Sequence, residues 1–321
     1  MNNNQKFFIG PMSKQIVDCI LDQDPQKFGL IPSRRQVDYN FGYVNNWNSN
    51  SFSQYVKRAN SNFVICRDHG GASQGSIVDD GYDSFRDDCK HFDMIHVDPW
   101  KFTKNLDEAI TLTCDYIRFC NSLNKNILFE IATEESIFYF DNEMLKYFVD
   151  NVYSNLGNLF NQVTHIIIQS GTRLRENNQI GKYSSERLVD QLSIVKKFDK
   201  LSKEHNGDYM NVRLIKEKFD LGLDSINIAP EFGFIQTCAI LENLDEEKTE
   251  LFYDLCYKSG KWKNWVNADF VPEQNKIDLI KISGHYVYSN PEYIKNIHDD
   301  GHLQNINSKI NKKLGELSDI C

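Results

Sequence analysis

The chain is short of the features that assign many proteins at sight. Basic residues form no run longer than a pair or triplet, and 45 acidic side chains outnumber 36 basic ones for a net charge of −9. A nucleic-acid surface is therefore not expected, while small anions stay open because a few local arginines suffice for them. The eight cysteines (Cys19, Cys66, Cys89, Cys114, Cys120, Cys238, Cys256 and Cys321) include no C-x-x-C pair and no disulfide-framework spacing. Scattered thiols of this kind read as reduced. No window approaches eighteen apolar residues, and the opening MNNNQKFFIG lacks the apolar stretch of a signal peptide. A soluble, cytoplasmic protein with no membrane partner is expected. No G-x-G-x-x-G follows the first apolar run, which lowers a dinucleotide-binding reading.

What is present is a rhythm. A chain of 321 residues can form one large α/β domain or two smaller ones. Eight short apolar runs recur, at 6–13, 28–34, 63–70, 94–100, 126–133, 165–172, 199–207 and 224–233. Longer amphipathic segments separate them, such as 105–123, where Leu106, Ala109, Ile110, Thr113, Ile117 and Cys120 repeat at helical spacing. Continuous rather than alternating apolar character implies parallel strands buried on both faces. Eight strand–helix units point to an α/β fold, a (β/α)8 TIM barrel, over residues 1–244. Residues 245–321 start with the charged helix LDEEKTELFYDLCYKSG and carry Trp262, Trp265, Tyr286 and Tyr288. They are expected to be a C-terminal helical extension packed on the barrel, at the contact of a homo-oligomer, with a mobile end after Asn290.

Barrel enzymes place their chemistry where strands end and the following loops begin. Polar residues gather there: Ser33, Arg34 and Arg35; Asp68 and His69; His96 and Asp98; Glu134; Gln169; His205, Asn206 and Asp208; Asn227 and Glu231. One strand-end histidine is more often structural than catalytic. A ring of them is harder to dismiss. Histidines from the third and seventh strands, with a carboxylate or amide from the fifth or sixth, would offer N and O donors to a divalent metal such as Zn2+. An open position on it could polarise a substrate carbonyl.

In order, VICRDHGG, IHVDPW, EIATEES, IIIQSGT, KEHNGDY and SINIAPEFGF resemble the class II aldolase superfamily. The resemblance covers about residues 28–240 and is closer to the tagatose-bisphosphate aldolase accessory subunits and the ketose-phosphate 4-epimerases. It implies that Asp68 handles the C4 hydroxyl proton, that His69 and His205 bind zinc (or another divalent metal such as Mn2+), that Asn227 contacts substrate and that Glu134 lies near the metal with a catalytic role. Ordinary class II enzymes carry a further zinc-binding histidine in Gly-Thr-x-His, where this chain has QSGTRLREN. Gln169 or Glu134 is then expected to complete the metal site. A sugar phosphate would be bound by Ser33, Arg34, Asp98, Gly171, Arg173, Asn206 and Asp208, with backbone N–H groups of the 205–211 loop and of residues 228–230 on the phosphate. Arg35 could assist as a planar anion binder. The implied reaction is C3–C4 retro-aldol cleavage, or 4-epimerisation if the aldehyde rotates and re-adds. Two alternatives stay open: a non-catalytic subunit that stabilises a partner aldolase, suggested by the absent third histidine, and an epimerase or lyase of an unphosphorylated sugar acid, suggested by the glycine-poor loop.

Overall fold

The computed structural model describes residues 5–131, 140–175 and 177–321. Its centre is a barrel of eight parallel strands: β1 (Phe7–Ile9), β2 (Phe28–Leu30), β3 (Cys66–Gly70), β4 (Met94–Val97), β5 (Leu128–Ile131), β6 (Val163–Ile168), β7 (Leu201–Glu204) and β8 (Ser225–Ile228). The hydrogen-bonded order is β2-β1-β8-β7-β6-β5-β4-β3. Isolated parallel bridges Leu30–Ile65 and Ser33–Asp68 bring β3 back to β2 and close the circle. Seven of the eight apolar runs in the sequence contain one of these strands, and the run at 165–172 overlaps β6, which starts two residues earlier. Helices α1 (Lys14–Leu21), α2 (Ser49–Ala59), α3 (Tyr82–His91), α4 (Leu106–Leu123), α5 (Asn142–Leu156), α6 (Ser185–Lys196), α7 (Val212–Asp220) and α8 (Pro230–Leu241) follow the strands in turn.

Side-chain alternation explains the continuous apolar runs. Phe7, Ile9, Ile95, Val97, Phe129, Ile131, Ile166, Ile168, Ile226 and Ile228 face outward into the core shared with the helices. Phe8, Ile31, Val64, Cys66 and Met94 form a separate cluster inside the barrel. Both faces are apolar because both are covered. The same alternation continues inward through Asp68, His96, Glu130, His165, Lys203, His205 and Asn227, so the barrel turns polar toward its C-terminal end.

One charged pair lies deeper. Lys203 Nζ sits 2.5 Å from Glu130 Oε1 and 3.3 Å from the centre of the Phe8 ring, with both charged side chains fully buried. Burial pushes the Glu130 carboxyl above its ordinary range, and Lys203 pulls it part of the way back. Such a pair contributes little net stability against an apolar replacement, but removing one partner strands the other charge.

After α8 come α9 (Glu246–Ser259), α10 (Lys276–Ser283), α11 (Pro291–Asn296) and α12 (Leu303–Ser318). The end beyond Asn290 is not the mobile tail its polarity suggested. Ile306, Ile310, Leu314 and Leu317 recur at spacings of four, four and three, and all are buried where α12 packs on α8 and α1. Trp265 donates to the Tyr286 hydroxyl at 3.1 Å, which joins this extension to itself beside the barrel mouth. No helix among the described residues is long and apolar enough to cross a membrane.

Candidate active site

The C-terminal mouth of the barrel opens into a cavity of about 540 Å³ lined by Ser33, Arg35, Asp68, His69, Asp98, Lys101, Arg173, His205, Asn206, Asp208 and Asn227, among others. Its centre is a set of three imidazoles. His69, His96 and His205 have ring centres 4.8–5.2 Å apart. Asp68 Oδ1 faces all three, 3.5 Å from His69 Nε2, 3.7 Å from His96 Nδ1 and 4.0 Å from His205 Nδ1.

Strand geometry explains how adjacent Asp68 and His69 reach the same place. Residues 68 and 69 of a regular strand would point to opposite faces. The register between β3 and β4 shifts between Arg67 and Gly70, and His69 has φ +47°, in the left-handed region. That bulge brings the His69 ring round to the mouth beside Asp68, at a local backbone cost of order 1 kcal/mol for a non-glycine residue. Arg67 meanwhile faces outward, fully buried, where it pairs with Asp88 and donates to the carbonyls of Pro32 and Val37. Arg67, Asp68 and His69 thus divide into one structural cation and two mouth residues.

Protonation states follow from surroundings. Burial, helped by the neighbouring rings, pushes His96 down to about 3 and His205 well below its ordinary value, so both present neutral lone pairs. His96 Nδ1 already accepts from the His69 backbone N–H at 3.2 Å. His69 Nδ1 lies 2.6 Å from Asp98 Oδ2, which leaves Nε2 turned to Asp68. Burial, the largest single influence, raises the Asp98 carboxyl, but the bond to His69, the nearby His69 and His96 rings and the Trp100 N–H together hold it below the ordinary range. Asp68 Oδ1, His96 Nε2 and His205 Nε2 are buried with no hydrogen-bond partner among the described residues. Unpaired buried polar atoms are rare and costly. A divalent cation fits the cluster as a whole: one ligand atom from each of Asp68, His69, His96 and His205 lies within 4.8 Å of the others, the nitrogens nearest Asp68 Oδ1 being His69 Nε2, His96 Nδ1 and His205 Nδ1 rather than the orphaned Nε2 atoms across the last two rings. The four residues form the one such group of metal-compatible side chains among the described residues.

The remaining expected site residues divide. Asn227, at the inward end of β8, lines the cavity with both amide atoms buried and unpartnered. Gln169, one residue past β6, is also buried with neither amide atom bonded. Glu134 lies outside the described residues. Ser33, Arg173 and Asn206 line the cavity. Arg34 does not: it is buried and committed to Asp38, Asp79 and the Gly71 carbonyl, and Arg35 lines the mouth instead. Its sequence neighbour points the other way because Arg34 anchors the loop before α2. Asp98 reaches the cavity but accepts from His69, Gln74 and the Trp100 N–H, so it positions His69 rather than standing free for substrate. Gly171 is buried at φ +97°, packed against the Lys182 carbonyl, a turn requirement rather than a ligand contact.

His96 is the residue whose role the sequence left unassigned. It was visible as a strand-end histidine in IHVDPW, and inward alternation from Met94 is the signal that places it in the ring. The third imidazole therefore comes from β4, not from the segment after β6.

No protein-family model matches the sequence, and no curated protein matches it. Solved structures do. The chain is similar to a probable tagatose 6 phosphate kinase from Sinorhizobium meliloti 1021 (TM-score 0.81, 11% identity, 99% of this chain and 100% of that chain). It is similar to fructose-bisphosphate aldolase from Campylobacter jejuni (TM-score 0.61, 14% identity, 98% and 90%) and to fructuronate-tagaturonate epimerase from Cohnella laeviribosi (TM-score 0.65, 10% identity, 99% and 81%). What is shared is the fold. The barrel expected from the sequence is thus the fold of a solved fructose-bisphosphate aldolase and of a solved fructuronate-tagaturonate epimerase.

Proposed function

We propose that the chain is a metal-dependent enzyme that cleaves, or inverts next to, a carbon–carbon bond of a ketose by retro-aldol chemistry. The observation that carries this reading is the ring of His69, His96 and His205 around Asp68, with His96 and His205 held neutral by burial and with orphaned polar atoms at the barrel mouth. His69, His96 and His205 would hold the cation, His96 by exchanging the His69 backbone N–H on its Nδ1 for the metal, with zinc the best match to three nitrogens. When bound, it supplies a Lewis acid that makes a neighbouring carbonyl a better electron sink.

The residues do the rest. Asp68 lines the cavity within reach of a substrate hydroxyl and serves as the base that takes its proton as the adjacent C–C bond breaks. The Asn227 amide, which has no other partner, donates to the oxygen on which negative charge develops. Asp98 and Gln74 hold His69 in one tautomer and orientation. Arg35, Lys101 and Arg173 put positive charge at the rim, where an anionic part of a substrate can sit. Release of the aldehyde gives cleavage, and rotation with re-addition gives a 4-epimer.

The non-catalytic alternative rested on an absent third histidine, and His96 removes that support. The deciding experiment loads the protein with zinc or manganese and incubates it with ketoses, ketose phosphates and keto sugar acids. NMR then reads both C–C cleavage and C4 inversion. A chain that binds about one metal per monomer yet turns over none of the panel would defeat the reading.

A further inference from the structure

The corner of the mouth between β7 and β8 is where barrels of this kind commonly hold a substrate phosphate, on backbone N–H groups of the two loops and the following helix. Here the N–H groups of Gly207, Tyr209, Ala229, Glu231 and Phe232 are already used. Asp208 Oδ1 accepts from the N–H groups of both Ala229 and Glu231, each at 2.8 Å. Pro230 between them has no N–H, and the Phe232 N–H goes to the Ala229 carbonyl. On the other loop, Gly207 N–H bonds the Asn227 carbonyl, and Tyr209 N–H bonds Glu231 Oε2 at 2.8 Å. Lys313, from α12, neutralises the other Glu231 oxygen at 2.7 Å. The chain's own carboxylates thus occupy the positions of an anion. A phosphate arriving there would meet no free donor on these residues and would face the buried Asp208 carboxylate.

Asp208 is 2% exposed and lines the cavity, and its Oδ2 makes no hydrogen bond to another described residue. An oxygen so placed is a hydroxyl acceptor. We infer that Asp208 and Glu231 are specificity-determining residues that exclude a phosphate ester from the β7–β8 corner and receive a free sugar hydroxyl there. The substrate class is then a ketose unesterified at the end that enters this corner. This rests on the retro-aldol reading above and narrows it. The phosphate contact expected from the sequence for Asp208 and residues 228–230 is replaced by an internal cap.

The test uses a pair of short chelators, glycolohydroxamate and its phosphorylated form, titrated by calorimetry into the zinc-loaded protein. The hydroxamate alone reads the metal centre, and the difference between the two ligands reads the corner. In the wild type the phosphate should add no affinity. In Asp208→Ser, which frees two N–H donors and removes the negative charge, it should add about tenfold or more. Asp208→Asn keeps an acceptor for both N–H groups and should resemble the wild type. Phosphorylated ligand binding tenfold or more tighter to the wild type overturns the inference, whether or not the serine variant folds. If neither chelator binds, the metal reading fails instead. Inorganic phosphate titrated into wild type and Asp208→Ser then decides this corner separately, with binding only to the variant expected and equal binding to both overturning it.

Discussion

Two corners of one barrel mouth differ in how they treat polar atoms. Around β3, β4 and β7, Asp68, His96 and His205 leave buried atoms without partners. Around β7 and β8, Asp208 and Glu231 satisfy one backbone donor after another. Unmade bonds cost folding free energy, so they persist where something outside the chain completes them. A completed network leaves its donors no open bond for an ion. On the proposed reading the first corner is a place for chemistry and the second a wall that shapes the substrate. Mutations should separate the two: at the first corner activity or metal is lost while the fold survives, and at the second the fold weakens.

The largest separation is expected at Asp68. Asp68→Asn keeps the size and removes the base, so turnover should fall by roughly 10²–10⁴ while bound metal and melting temperature change little. Near-normal turnover, measured per metal-loaded molecule, would move the base elsewhere in the cavity. Next comes His96→Ala, which should weaken zinc affinity by more than the 10–100-fold typical of residues that only support a ligand. The same loss is expected for His69→Ala and His205→Ala. Unchanged zinc affinity in His96→Ala, read by competition with a chelator, would hand the third position to Gln169.

Asn227 and Asp208 put the comparison in a single experiment, since both are buried polar residues lining the same mouth. Asn227 has no bond to lose, so Asn227→Ala should cut kcat by about 10²-fold and leave KM and stability nearly unchanged. Asp208→Ala orphans two buried N–H groups at the start of α8 and should cost about 1–3 kcal/mol in urea unfolding. A destabilised Asn227→Ala with normal turnover per folded molecule would show that Asn227 is architecture.

The barrel was legible because each strand is a short apolar run between amphipathic segments, and that pattern survives without long-range information. The placement of Asp68, His69, His205 and Asn227 at the barrel mouth was legible from strand ends and motif resemblance. What was hidden depended on direction. His96 required knowing that β4 runs Met94-in, Ile95-out, and Arg34 and Arg35 required knowing which of two adjacent guanidinium groups a loop turns inward. The capped corner was hidden for a different reason: a loop aspartate reads as a ligand contact until its partners, Ala229 and Glu231, are known to lie beside it. The end after Asn290 misled because its polarity masks the four-residue stripe of Ile306, Ile310, Leu314 and Leu317.

The smallest expected effect concerns charge at the closed corner. Burial, with Glu231 close by, raises the Asp208 carboxyl to about 7, although two backbone N–H groups favour its ionised form. A carboxyl raised above its unfolded value binds a proton more tightly in the folded state. Its contribution to stability is therefore greatest at low pH and is lost as pH climbs from the ordinary aspartate range, near 4, through about 7. The slope from this one group cannot exceed about 1.4 kcal/mol per pH unit. Asp208→Asn keeps an oxygen for the N–H groups of Ala229 and Glu231 and cannot titrate. Urea unfolding of the metal-free protein at pH 5, 6, 7 and 8 should show stability of the wild type, relative to Asp208→Asn, falling across that range and levelling above pH 8. Parallel curves for the two proteins would mean that the N–H bonds already hold Asp208 ionised, and that the closed corner carries its full negative charge throughout.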